Sequence, residues 1–192
     1  MELIYYYNSP LGKIKITTDG KFLTGLWFSG QNKYENNLNQ SLSKEKSGTL
    51  VSFACKEYNE NRVDIFKIVL NWLDIYFQGE IPNFTPPLKF QATEFRKTVW
   101  EILLKIPYGK MTTYGEIANI IAKEKGILKM SARAVGNAVG HNPILIIIPC
   151  HRVIGSFGNL KGYSGGLERK IQLLKTEKIN INELKDKTRV IS

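Results

Sequence analysis

Five aliphatic residues in a row, Ile144-Leu-Ile-Ile-Ile148, run straight into Pro149-Cys-His-Arg-Val-Ile154, and this stretch restricts the fold more than any other. An unbroken apolar run of that length reads as a short, fully buried strand. Proline has no amide hydrogen to give a sheet, so the strand is expected to stop at Pro149. Cys150, His151 and Arg152 are then expected to leave the core together as the chain exits. A thiol attacks only as thiolate, and an ordinary cysteine has a pKa of about 8.5. A base within reach, or a nearby cation, raises the thiolate fraction at neutral pH. Adjacent side chains point in different directions, so His151 acts on Cys150 most simply through a bridging water. Taken alone, such a triplet is more often an inert buried cysteine beside a surface histidine, and the rest of the chain has to decide.

Charge is the second restriction. The first 89 residues carry 10 basic and 9 acidic side chains, and the remainder carry 17 and 8. Nearly all of the net charge of +10 therefore sits in the second half. Such asymmetry points to a polyanionic partner bound largely through phosphates. Two cysteines, Cys55 and Cys150, make no disulfide framework, which fits a reducing, cytoplasmic setting. Two cysteines and two histidines, one of each adjacent in sequence, argue against a metal site. No apolar stretch is long enough to cross a membrane, and the first residues do not resemble a signal peptide.

Residues 3–7 and 13–18 read as strands, the second alternating as a half-exposed strand does, and Asp19-Gly20 turns the chain into a third over 22–28. Residues 31–49 are polar, with Tyr34, Leu38 and Leu42 at helical spacing. A strong helix is predicted over 62–78, with Val63, Phe66, Val69 or Leu70, Leu73 and Phe77 inward and Gly79 as its stop. Residues 81–87 hold three prolines and read as an extended linker. The charge balance changes there, which divides the chain into 1–87, 88–178 and a basic tail, 179–192. In the second unit Thr93, Thr113 and Ser131 are each placed to cap a helix. The short helices after Thr113 and Ser131 suggest a helix-turn-helix. The second of these, from Ala132 to about His141, is built of small residues. Ala132, Ala134, Gly136, Ala138 and Gly140 free a face for close approach of another backbone. A last helix spans 167–177.

Pro149-Cys-His-Arg-Val153 resembles the active-site motif of the O6-alkylguanine-DNA alkyltransferases. Phe95-x-x-x-Val-Trp100, Ile106-Pro-Tyr-Gly109, Thr113-Tyr-Gly-Glu-Ile-Ala118, Arg133-Ala-Val-Gly136, Asn142-Pro143 and Tyr163-Ser-Gly-Gly-Leu167 follow in that family's order. The resemblance covers about residues 90–177. Over 1–87 it is architectural only. It implies a small α/β domain of ribonuclease-H-like shape, an antiparallel sheet plus helix, followed by a mostly α domain with a winged helix-turn-helix. One departure stands out: the segment from Tyr114 to Arg133 is several residues longer than in the family, through 123–129.

The resemblance also implies the chemistry. The family moves an alkyl group from O6 of guanine in duplex DNA onto a cysteine, here Cys150, irreversibly and once per chain. His151 would act through water as base, with Glu177 orienting it, the nucleophile–base–orienter arrangement of a triad. Tyr114 would give the hydrogen bond or proton that lets guanine leave. Tyr163 and Ser164 would line the pocket at O6, and the carbonyls of Cys150 and Val153 would accept from the guanine amino group. The nucleotide must be rotated out of the stack. Arg133 would fill the space it leaves, with Ala132, Ala134, Gly136, Thr113 and Tyr114 along the DNA. Asn142 would tie that helix to the cysteine loop. No cofactor, metal, membrane or obligatory protein partner is implied, and a monomer is expected. Activity on O4-alkylthymine stays open. The competing readings are a winged-helix protein that recognises alkylated DNA without chemistry, and a cysteine hydrolase. The first is disfavoured by Cys150. The second is disfavoured because such enzymes draw cysteine and histidine from distant segments.

Overall fold

The computed structural model describes residues 2–30, 65–160 and 162–181. The helical spacing of Tyr34, Leu38 and Leu42, the residue Cys55, the first turn expected before Ile65 and most of the basic tail lie outside them.

Three antiparallel strands open the chain: β1 (Leu3–Ser9), β2 (Gly12–Thr18) and β3 (Leu23–Phe28), in that order across the sheet. Asp19 forms the second turn by accepting the amides of Lys21 and Phe22 on one carboxylate oxygen. The alternation expected of residues 13–18 is not what burial shows: Ile14 to Thr18 are all buried. β2 is the central strand, and its outward side chains are covered by neighbours. Lys15 lies over the Trp27 ring, and the Thr17 and Thr24 hydroxyls meet at 2.9 Å. Helix α1 (Ile65–Phe77) packs against the sheet, with Phe66 on Tyr5 and Phe77 on Tyr7. Gly79, with φ +80°, ends it. Its amide bonds Tyr76 O and the next amide bonds Ile75 O, the paired bonds of a Schellman stop.

The edge of β3 is closed by the second half of the chain. Leu23 exchanges hydrogen bonds with Pro87 and Lys89, and Leu26 with Pro143 and Leu145. The end of the proline-rich segment 81–87, with the residues just after it, thus serves as a sheet partner as well as a connection. One continuous hydrophobic cluster runs from Ile14 to Leu173.

Residues 144–148 are buried as expected, but they do not form a strand. Only Ile144 pairs with the sheet. The chain then doubles back: Ile147 N bonds Leu145 O, Ile148 N bonds Ile144 O, and Ile146 takes φ +68°. Pro149 (φ −82°, ψ 60°) makes a second tight reversal, closed by Cys150 N on Ile148 O. An apolar run without period reports burial and leaves conformation open. Asn142 replaces the missing sheet partner, giving Nδ2–H to Ile148 O at 2.8 Å and taking Ile144 N on Oδ1 at 3.0 Å.

The rest is helical. Helix α2 (Glu94–Leu104) is capped by Thr93. β4 (Thr112–Thr113) leads into α3 (Tyr114–Glu124), where Thr113 and Glu116 cap each other's backbone in a reciprocal box. The longer segment after it begins with another Schellman stop at Gly126, φ +62°, and carries the wholly exposed Leu128. Helix α4 (Ala132–Val139) starts at Ser131. β5 (Val153–Ile154) pairs in parallel with β4, and α5 (Leu167–Thr176) closes the domain. Among the described residues no helix is long and apolar enough to cross a membrane.

Candidate active site

Cys150–Arg152 form one 3-10 turn, and all three side chains are buried. This corrects the expectation that they leave the core. Their polar groups stay inside because the protein supplies partners for them. Glu177, the residue that caps α5, is the hub and is itself buried. Its Oε1 accepts His151 Nε2 at 2.6 Å, the Tyr76 hydroxyl at 2.9 Å and Arg152 Nη2 at 3.0 Å. Its Oε2 accepts Arg152 Nε at 2.9 Å and the Gly109 amide at 3.0 Å. Arg152 also gives Nη1–H to Ile106 O. A side chain at Gly109 would be strained: φ is +71°, and a Cβ there would come within 3.2 Å of Glu177 O.

Burial works to raise Glu177, but the hydrogen bonds from His151 and Arg152, with the Arg152 charge beside them, outweigh it and hold the carboxyl at about 2. Burial lowers His151, against the pull of Glu177, with Arg152 and Lys170 adding to the lowering. The stable state is an ionised Glu177 balanced by Arg152, beside a neutral imidazole. A neutral ring that bonds a carboxylate through Nε2 must carry its hydrogen there, so the network assigns the lone pair to Nδ1. That nitrogen is buried and has no hydrogen-bond partner among the described residues.

Cys150 Sγ accepts Asn142 Nδ2–H at 3.1 Å. Burial pushes the thiol up to about 11, while the Asn142 bond, Lys170 and backbone amides pull it down. Lys170 is fully buried and gives Nζ–H to Val153 O at 2.6 Å. Burial draws its ammonium down to about 8, opposed by Cys150. Tyr163 sets its ring edge-on to His151, centroids 6.4 Å apart, and Tyr163 Oη and Ser164 Oγ are buried. Gly165 is required beside them, because a Cβ there would strike the Tyr163 ring at 2.4 Å. The Tyr114 hydroxyl rests on Gly162 O at 3.2 Å, and its ring lies against Gly136. Burial raises this phenol, with Cys150 adding to the effect.

Cys150, His151, Glu177, Asn142, Val153, Tyr163, Ser164 and Tyr114 thus share one corner of the fold. Arg133 and Ala132 stand apart from it, exposed at the start of α4, with Ala134 and Gly136 half-buried. Thr113 spends its hydroxyl on the cap of α3. Ala138, expected on the open face of α4, is buried instead and its carbonyl accepts Trp100 Nε1 at 2.9 Å. Val135, Ala138 and Val139 fall at i, i+3 and i+4, which is the core stripe.

Sequence reasoning misses Tyr76, Lys170, the Gly109 amide and the bidentate role of Arg152. Lys170 has a signal. Residues 170, 173, 174 and 177 make one helical stripe, and its two polar members, Lys170 and Glu177, bracket two leucines. Tyr76 has none, because an aromatic on a helix face reads as packing.

The sequence matches 6-O-methylguanine DNA methyltransferase, ribonuclease-like domain, over residues 3–90 and 6-O-methylguanine DNA methyltransferase, DNA binding domain, over residues 94–179. It is 48% identical over 180 residues to a methylated-DNA–protein-cysteine methyltransferase of Methanosarcina mazei, covering 93% of this chain and 99% of the relative. The fold is similar to the crystal structure of Mycobacterium tuberculosis O6-methylguanine methyltransferase, with TM-score 0.66 and 37% identity over 93% of each chain. It is also similar to the crystal structure of Mycobacterium tuberculosis OGT in complex with DNA, with TM-score 0.65 and 36% identity over 93% of this chain and 96% of the other.

Proposed function

The chain belongs to the 6-O-methylguanine DNA methyltransferase family, and from that membership we propose that it repairs duplex DNA by transferring an alkyl group from O6 of guanine to Sγ of Cys150. The observation that carries the reading is a pair of buried contacts on adjacent residues, Asn142 on the Cys150 sulfur and Glu177 on the His151 ring. The sulfur starts as a thiol, since burial holds its proton on. A neutral His151 with its lone pair on Nδ1 takes that proton through a bridging water, and Glu177 steadies the imidazolium. The thiolate attacks the alkyl carbon in line, the S–C bond forms and the C–O6 bond breaks. Guanine leaves with the electron pair and gains one proton. Tyr114 gives it, as a phenol that burial keeps protonated. The thiol proton sits on His151 and the guanine proton has come from Tyr114, so passage of the imidazolium proton through solvent to the Tyr114 phenolate restores both residues and leaves the transfer neutral overall.

Val153 O already accepts Lys170, but a carbonyl has two lone pairs and can take the guanine amino group as well. Tyr163 and Ser164 line the same pocket at O6. Helices α3 and α4 act as the two helices of a winged helix-turn-helix. The exposed Arg133 fills the gap left by the rotated nucleotide, and Ala132, Ala134 and Gly136 lie along the DNA. The working units are residues 1–87 and 88–178, a division supported by matches that end at 90 and begin at 94. The protein acts as a monomer in the cytoplasm. A thioether offers no route back, so each chain reacts once. Mass spectrometry after incubation with O6-methylguanine duplex tests this directly. The expected result is one added methyl on Cys150 and none on Cys150→Ser. Binding of alkylated DNA without any mass gain would overturn transfer in favour of recognition alone.

A further inference from the structure

The N-terminal sheet and helix have no part in the reaction as described above, yet one of their side chains reaches the reacting corner. Tyr76 lies in α1, 101 residues from Glu177 in sequence, and gives its hydroxyl hydrogen to Glu177 Oε1 at 2.9 Å. The same oxygen atom of Tyr76 is 3.4 Å from His151 Nε2. Its ring is fully buried, stacked on Trp72 at 5.3 Å and edge-on to His151 at 6.4 Å. We propose that Tyr76 is a positioning residue for alkyl transfer, supplied by the N-terminal domain, which shares Glu177 Oε1 with His151 and so sets how basic that imidazole is.

The argument is one of competition at a single oxygen. A carboxylate oxygen that accepts several donors has less density for each, and His151 contends there with Tyr76 and Arg152. Every donor added to Oε1 weakens the hold of Glu177 on an imidazolium. Burial keeps His151 neutral at rest, and this competition adds to it, so a borrowed proton is released readily. The other groups facing this corner are Cys150 and Arg152 of the 3-10 turn, Lys170 of α5, Tyr163 before α5 and Tyr108 after α2. Among the described residues no tyrosine except Tyr76 donates to Glu177: the Tyr108 hydroxyl goes to Thr176 O at 2.8 Å.

This inference rests on the transfer reaction proposed above, and the test separates the two. Tyr76→Phe keeps the ring and its stack on Trp72 and removes only the hydroxyl. Tyr108→Phe, which deletes a neighbouring hydroxyl bonded to backbone, is the structural control. The chain has two histidines, so isotope-labelled histidine gives two ring signals, and His141→Gln assigns them. In Tyr76→Phe the His151 midpoint should rise by about half a pH unit or more. The acid limb of the rate of reaction with free O6-benzylguanine should move up with it. The rate on that limb should fall about two- to tenfold, the scale of one hydrogen bond. Tyr108→Phe should move neither. A wild type that takes up neither a methyl group from O6-methylguanine duplex nor a benzyl group from the free base defeats the transfer reading and this one with it. A wild type that reacts, with both midpoints unmoved in Tyr76→Phe, defeats this one alone.

Discussion

The corner around Glu177 and the outer end of α4 are built on opposite terms. At Glu177 both carboxylate oxygens have donors, the side chains are buried, and three separate segments plus a backbone amide converge. At Arg133 the side chain is exposed, and among the described residues it makes no hydrogen bond or ion pair. The first arrangement holds a few atoms within tenths of an ångström, as bond exchange requires. The second keeps an arginine uncommitted, as its proposed place in the gap left by a rotated nucleotide requires. Damage should therefore read out differently at the two places, in transfer and folding at the first and in DNA engagement at the second.

The sharpest break is Cys150→Ala, expected to abolish transfer while leaving duplex affinity intact, measured by mass spectrometry beside fluorescence anisotropy. Residual transfer would move the acceptor elsewhere. Glu177→Ala comes next. It strands Arg152 in the core, and losing one partner of a buried ion pair costs about 3–5 kcal/mol. Denaturant unfolding should show that loss, while Arg133→Ala stays within about 0.5 kcal/mol of wild type. The same carboxylate predicts acid sensitivity. Its value in the fold is about 2 against an ordinary 4.5. The stabilisation from this depressed group is fully present above pH 4.5 and drains away as pH falls toward 2. Melting curves across that window should drop for wild type and flatten for Glu177→Gln.

Arg133→Ala should slow repair of duplex by about tenfold, the order of a charge-assisted contact, with free O6-benzylguanine reacting as before. Equal slowing on both substrates would place Arg133 in the chemistry and erase the contrast. The smallest effect sits between the two regions. The family resemblance puts Thr113 along the DNA, but its hydroxyl caps α3. Thr113→Ala should cost about 1 kcal/mol of stability, with duplex affinity nearly unchanged. A marked loss of affinity with normal stability would return Thr113 to the interface.

Much of this architecture is legible in the amino-acid sequence. Caps and stops announce themselves, because Thr93, Thr113 and Ser131 answer a local need of the backbone and Gly79 meets another. The residues proposed to react are legible through an ordered set of short motifs. The conformation of residues 144–148 is not, because it is decided by Asn142 and by the edge of β3, neither of which is local. Lys15 escapes for the same reason, since a strand's outer face is exposed only if nothing across the sheet covers it. Tyr76 cannot be read at all. Its hydroxyl matters only because Glu177, far along the chain, is folded against it.

The pairing of Leu26 with Pro143 and Leu145 has a consequence for the fate of the chain. That short bridge stoppers the open side of a three-stranded sheet, only a few residues from the sulfur. Without it Leu26 would present a bare amide and carbonyl, the template on which other chains add strands, so the segment that leads to Cys150 also guards the sheet against self-association.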